Sequence, residues 1–178
     1  MTPRVPLRVP LIVMGVSGAG KSTIGAALAE AFDVPFHDAD DFHTPANKAK
    51  MAVGSPLDDD DRGPWLATLA ALIADEGAAG RPVVLACSAL KRRYRDRLVV
   101  DAPDTLFVHL GGTRDLIAER QRARTHEYMP TSLLDSQFET LEPLEADERG
   151  ILVDVRATPD QVVDDVRRRL QAAVVALA

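Results

Sequence analysis

The chain has 178 residues, 46% hydrophobic and 27% charged, which suits the core of one compact domain and excludes a disordered or coiled-coil chain. A net charge of −6 argues against a broad electrostatic grip on nucleic acid or an anionic membrane, and no apolar run approaches the roughly 20 residues of a membrane span. The single cysteine, Cys87, leaves no intramolecular disulfide and no Cys-x-x-Cys zinc pair, as expected of a soluble protein in a reducing compartment. The apolar run 10–16 leads into a glycine loop instead of a small-residue cleavage site, so no signal peptide is expected.

Residues 9–14 (VPLIVM) read as a buried strand, followed by a loop and a helix over Lys21–Phe32. Residues 34–38 form a second short strand. Helical spacing over 64–74 places Pro64 in a first turn, with Asp60 or Asp61 as N-cap. Residues 81–87, 105–110 and 151–155 read as the third, fourth and fifth strands, the third apolar on consecutive positions like a strand buried on both faces. Thr113 caps a charged helix to about Arg124, and residues 132–141 read as another. Thr158-Pro159-Asp160-Gln161 is a capping box opening the last helix, whose Val162, Val163, Val166 and Leu170 make an apolar face. Alternating strands and helices predict a three-layer α/β/α domain around a five-stranded parallel sheet.

Gly15-Val16-Ser17-Gly18-Ala19-Gly20-Lys21-Ser22 fits G-x-x-x-x-G-K-[ST], between a predicted strand and a predicted helix. Glycines let the backbone turn so tightly that its N–H groups converge on phosphate oxygens, and the helix start adds the positive end of its dipole. Lys21 is expected on the β- and γ-phosphates and Ser22 on Mg²⁺, with Thr23 completing the binding stretch. The motif by itself says only that a nucleoside triphosphate is bound.

Two features imitate a switch GTPase. Asp60-Asp61-Arg62-Gly63 fits D-x-x-G, but no buried strand precedes it to hold an aspartate under the metal. Asn47-Lys48-Ala49-Lys50 has lysine where a guanine reader needs aspartate, and it lies too early in the chain. A motor-type ATPase would carry an aspartate at the end of an apolar strand, yet residues 83–86 run into Cys87-Ser88. The acidic groups instead follow the second strand. Asp38 and Asp40 alternate, so on an extended segment they share a side at the strand's C-terminal end, where open parallel sheets bind ligands. One carboxylate can hold the metal's water shell while the other takes a proton from a substrate hydroxyl. This pattern predicts a small-molecule phosphotransferase.

Arg114, Arg120, Arg122 and Arg124 crowd one helix and the following loop. Arg120 and Arg124 share a face and are expected to close over the phosphates, while Arg122 points elsewhere. Lys91, Arg92 and Arg95 follow the third strand as a basic cluster that starts at the active-site edge, with Arg62 able to serve a substrate or offset Asp58–Asp61. His43 is read as a hydrogen-bonding partner of substrate, not a ligand of a transition metal. Trp65, Phe138 and Cys87 read as core.

Five separated blocks carry a more specific resemblance. They are Met14 to Gly18, running into the loop; Asp38-x-Asp40-x-x-His43 with Asn47-Lys48-x-Lys50-Met51; and Gly54-x-Pro56-Leu57-x-Asp59-x-Asp61-Arg62-x-Pro64-Trp65-Leu66. Then come Cys87-Ser88-Ala89-Leu90-Lys91-Arg92-x-Tyr94-Arg95 and Ser136-Gln137-Phe138-Glu139-x-Leu141-Glu142. With these the chain resembles the bacterial gluconate kinases, P-loop small-molecule kinases similar in architecture to shikimate kinase. Where that family has R-x-G-H-[FY]-[FM], this chain reads Arg124-Thr125-His126-Glu127-Tyr128-Met129. The resemblance implies a single kinase domain with a substrate-binding helical segment over about 40–78 and a lid over about 120–132. It further implies ATP- and Mg²⁺-dependent phosphorylation of D-gluconate at O6, a cytoplasmic location and a homodimer. In that scheme Lys21, Asp40, Lys91, Arg120 and Arg124 are catalytic, and Asp40, His43, Arg62, Lys91, Arg92 and Arg95 meet the substrate. Ser22 and Asp38 hold the metal. The alternatives are a kinase for another small hydroxy acid, shikimate included, or an ATP-binding regulator without transfer chemistry.

Overall fold

The computed structural model describes residues 6–123 and 131–176. Five strands form one sheet: β1 (Leu11–Met14), β2 (Phe36–Asp38), β3 (Val84–Ala86), β4 (Leu106–Gly111) and β5 (Gly150–Asp154). Their order is β2-β3-β1-β4-β5 and every ladder is parallel, with Leu11 opposite both Val84 and Leu106. Because successive side chains alternate faces, β1 feeds two cores at once. Leu11 and Val13 pack with Ile24 and Leu28 of α1 (Lys21–Phe32) and with Val162 and Val166 of α7 (Pro159–Ala176). Ile12 and Met14 pack on the other face with Leu69 and Ile73 of α3 (Asp59–Ala78) and Leu98 of α4 (Arg92–Val99). Two further helices, α5 (Arg114–Ala123) and α6 (Thr131–Thr140), bury Ile117 and Leu134 in the first of these cores. No helix among the described residues is long and apolar enough to cross a membrane.

The strands and the helix after the glycine loop lie where hydrophobic pattern places them, and Thr158 and Gln161 form the expected capping box. Two local readings are corrected. First, α3 starts at Asp59, with Asp58 as N-cap in place of Asp60 or Asp61. The Asp58 carboxylate accepts from the Asp61 N–H and Asp61 accepts from the Asp58 N–H, each at 2.9 Å. Pro64 therefore sits inside the helix; its missing N–H leaves the Asp60 carbonyl without the usual helical donor. Second, the extended run of β2 stops at Asp38, and a 3₁₀ turn (Ala39–Phe42) follows with Asp38 as its cap. Strand alternation thus does not carry on to Asp40. Within the 40–78 segment expected to be helical, a short helix, α2 (Pro45–Ala52), is capped by Thr44, whose hydroxyl accepts from the Asn47 N–H. The buried Asn47 amide in turn donates to the Asp61 carbonyl at 2.9 Å, tying α2 to the start of α3.

Arg95, expected at the substrate, is instead completely buried. Its guanidinium binds both Glu148 carboxylate oxygens at 2.5 and 2.8 Å, and it donates to the carbonyls of Ala89, Leu90, Glu142 and Pro143. It is a structural bolt between α4 and the 141–149 segment, because a buried planar cation stays stable only when its donors are all satisfied. Arg92 is also committed elsewhere. It binds Asp96 at 2.7 Å and both oxygens of Asp147 at 2.9 Å. Burial raises the Glu148 pKa, but hydrogen bonds from Arg95 and from the Glu145 N–H outweigh it and hold the carboxylate below its ordinary value.

Removing one partner strands a buried charge, so Arg95→Leu should lower unfolding free energy by about 3–5 kcal/mol, and the Arg95→Met/Glu148→Leu double variant by much less. Because the folded-state pKa of Glu148 is depressed, its contribution is present at neutral pH and lost as pH falls. Chemical denaturation across pH should show the gap between wild type and Glu148→Gln shrinking as pH drops below about 4.

Candidate active site

Ligands of open parallel sheets bind beyond the strand C-termini at the point where the chain's path across the sheet reverses. Here that point is β1, with β3 on one side and β4 on the other. The loop from Gly15 to Ser22 leaves β1 at this edge, and the Gly15 N–H reaches back to the Ser88 carbonyl after β3 at 3.3 Å. Gly15 (φ +142°) lies so near β4 that a Cβ would stand 2.8 Å from the Leu110 carbonyl oxygen, and Gly18 (φ +84°) is similarly shut in by Gln121 of α5. Val16 and Ala19 turn their side chains into the core, leaving their peptides to shape the loop. Gly20 caps α1 in a left-handed conformation, and no side chain bonds to the cap to compete with an anion at the helix start. Lys21 folds back over the loop and donates to the Val16 carbonyl at 3.1 Å. The cradle, the cation and the helix start together fit a nucleoside polyphosphate.

The acidic pair meets this loop. Ser22 Oγ donates to Asp38 Oδ2 at 2.6 Å, and the other Asp38 oxygen accepts from the Asp40 N–H at 3.1 Å. A hydroxyl and a carboxylate at this spacing are a hard-oxygen donor set that fits Mg²⁺, directly or through its waters. The Asp40 carboxylate opens to solvent and lies 3.7 Å from His43 Nε2. Partial desolvation, and then the Asp38 charge, raise its pKa above the usual aspartate value, against the pull of His43 and Lys21. His43 is buried flat against Trp65, with ring centroids 4.4 Å apart, and burial pushes its pKa down so that it is neutral at pH 7. Trp65, whose indole donates to the Ala39 carbonyl at 2.8 Å, locks the 3₁₀ turn that carries Asp40.

A cationic cluster lies beyond His43. Arg62, Lys91 and Arg93 gather around the Tyr94 ring, 5.4–5.7 Å from its centroid. Asp59 accepts from the Tyr94 hydroxyl and from Arg93, both at 2.5 Å, so Tyr94 and Asp59 frame the cations. Lys91 also borders a cavity of 470 Å³ with Arg92, Arg93, Asp96 and Glu142. A larger groove of 680 Å³ between α3 and α4 contains none of the sequence-expected site residues. Arg120 of α5 donates to the Val155 carbonyl after β5. Arg124 and the 125–129 stretch lie outside the described residues.

The structure therefore brings together Gly15 to Ser22, Asp38, Asp40 and His43, places Arg62 and Lys91 on the adjacent cluster, ties Arg92 to Asp96 and Asp147 beside the cavity that Lys91 borders, and buries Arg95. Asp59, Tyr94 and Gln137, which stand in the sequence blocks, also shape the site, as does Gln121, which stands in none. Gln137 reaches the Ser17 N–H from 120 positions away, a pairing no local pattern announces.

Residues 11–144 match the family model described as an AAA domain. The chain is 43% identical over 162 residues to the gluconokinase of Gluconobacter oxydans (strain 621H), covering 91% of each protein. The crystal structure of a gluconokinase from Sinorhizobium meliloti 1021 superposes with a TM-score of 0.88 at 43% identity and covers 97% of both chains. A shikimate kinase from Bacteroides thetaiotaomicron shares the fold at 18% identity, with a TM-score of 0.64 and coverage of 92% of this chain and 98% of its own. With the phosphate loop, the acidic pair and the cation cluster assembled on this fold, the chain belongs to the gluconokinase family.

Proposed function

We propose that the protein transfers the γ-phosphoryl group of ATP to the O6 hydroxyl of D-gluconate, giving 6-phosphogluconate and ADP. The observation that carries this reading is the 2.6 Å bond from Ser22 to Asp38, which sets an acidic pair against the nucleotide loop with Asp40 facing the open side. Family membership supplies the substrate class. Loop N–H groups and Lys21 hold the polyphosphate, where negative charge spreads over the equatorial oxygens in transfer. Mg²⁺, held by Ser22 with Asp38 behind it, supplies charge neutralisation across the phosphates when bound. Asp40 orients the O6 hydroxyl and accepts its proton as the O6–P bond forms and the bond from the γ-phosphorus to the ADP oxygen breaks. Neutral His43, stacked on Trp65, limits where the Asp40 carboxylate can turn. Lys91 and Arg62, near the Tyr94 ring, attract the gluconate carboxylate. Arg120 and Arg124 are also assigned to the phosphates; Arg120 donates to the Val155 carbonyl, and Arg124 lies outside the described residues. A cytoplasmic homodimer belongs to the same proposal, on the strength of the family alone.

Asp40→Asn keeps the shape of the side chain but cannot take a proton. Turnover of D-gluconate with MgATP, followed by 6-phosphogluconate formation, should fall by about 10²–10⁴-fold while ADP binding is unchanged. Near-normal turnover would remove Asp40 from the role of base. Because the Asp40 pKa is raised, the acid limb of kcat/KM for gluconate should lie above the ordinary aspartate value of 3.8. Activity should rise with pH through that limb, and the limb should be absent from the residual rate of Asp40→Asn.

A further inference from the structure

Two glutamines grip a single residue of the nucleotide loop from opposite helices. Gln137 of α6 accepts from the Ser17 N–H at 2.6 Å, and Gln121 of α5 donates to the Ser17 carbonyl at 3.0 Å. These bonds fall on different peptide groups, one on each side of the Ser17 Cα. In a trans peptide the N–H and C=O point in opposite directions, and no peptide among the described residues is cis. Holding the Ser17 N–H toward α6 therefore aims the Val16 carbonyl the other way, and that carbonyl accepts the Lys21 ammonium at 3.1 Å. Holding the Ser17 carbonyl toward α5 aims the Gly18 N–H away from that helix.

Both consequences matter for an anion. A loop that binds phosphate works only while its N–H groups converge; a flipped peptide would present a carbonyl oxygen in place of a donor. Glycines permit this loop's geometry but also permit the flip, because Gly18 carries no Cβ to oppose it. Gln121 also lies across Gly18, its Cγ 2.7 Å from the point where a Cβ would stand. The two helices are themselves joined by the Arg114–Asp135 ion pair.

We infer that Gln121 and Gln137 are positioning residues for nucleotide binding, fixing the two peptides around Ser17 so that Lys21 and the Gly18 N–H are set for the polyphosphate before it arrives. This inference rests on the reading of the loop as the ATP site, and not on gluconate as acceptor. Both bonds fall on the nucleotide loop, while Asp40 and the cation cluster lie on the acceptor side of the site.

The test uses Gln121→Met, Gln137→Met and the double variant, each close in volume to wild type but without the amide. ADP affinity is measured by calorimetry, KM for ATP and for gluconate by steady-state kinetics, and the melting temperature by calorimetric scanning. Each single variant should weaken ADP binding and raise KM for ATP by about tenfold, with KM for gluconate changed less than about twofold. The double variant should lose less than the product of the singles, since both bonds act on one loop segment. A lowered melting temperature with nucleotide affinity intact would overturn the assignment, as would equal changes in both KM values. The two substitutions sit on separate helices, so if one fails to fold the other still reads its bond. Failure of both to fold would also contradict a role specific to the loop. Wild-type protein that binds ADP but does not phosphorylate gluconate would count against the proposed acceptor, and the variants would still decide the glutamines.

Discussion

A serine hydroxyl at the start of α1 and a carboxylate at the end of β2 meet at 2.6 Å, although β3 lies between the strands that deliver them. That contact requires parallel strands to end at one edge, and it requires slim residues where β3 passes beneath it. Both conditions hold. β3 ends in Ala86, followed by Cys87, Ser88 and Ala89, and the Ser88 carbonyl takes the Gly15 N–H instead of pushing the loop away. Cys87 is sealed under this junction, and burial pushes its thiol pKa up to about 12, so it contributes volume and no thiolate chemistry. The nucleotide loop, the metal-type oxygens and the acceptor side are neighbours because of this sheet order.

Around that junction the protein separates attracting cations from supporting ones. Arg95 enters the interior and binds Glu148 and four carbonyls; with that bolt in place, Ala89 holds a left-handed backbone (φ +45°), unusual for a residue with a Cβ. One turn earlier, Lys91 caps α4 from outside and stands over Tyr94, accessible to an anion. Two cations four positions apart are thus placed differently: one fixes the loop after β3, the other stands outside it over Tyr94.

This division marks how far the sequence could be read. The sheet, α1 and α7 follow from apolar periodicity and capping residues, and the nucleotide loop from its glycines, because those signals are local. The Asp38–Ser22 meeting was legible because the motif fixes one partner and the strand end the other. Arg95 and Arg92 read from the sequence as substrate cations, and the ion pairs they make were not legible because Glu148 and Asp147 come from a segment more than 50 positions away that carries no motif. The acidic run before Pro64 hid a helix start at Asp58, since a capping box with aspartate in both places looks like a solvated charge cluster. Gln121 gave no local signal, and Gln137 stood in a matched block that did not announce its partner, because what both hold is a backbone peptide distant in sequence.

The central claim is that this site moves a phosphoryl group from ATP to a sugar acid. The most direct test is ADP release from MgATP, read through a coupled spectroscopic assay, over a panel of D-gluconate, other aldonates, shikimate, glucose and a nucleoside monophosphate, with Lys21→Ala as control. The account predicts turnover with D-gluconate well above every other acceptor, and none in Lys21→Ala. Turnover confined to shikimate or another acceptor would contradict the assigned substrate. Wild-type protein that binds ATP yet turns over no acceptor would contradict the transfer chemistry itself.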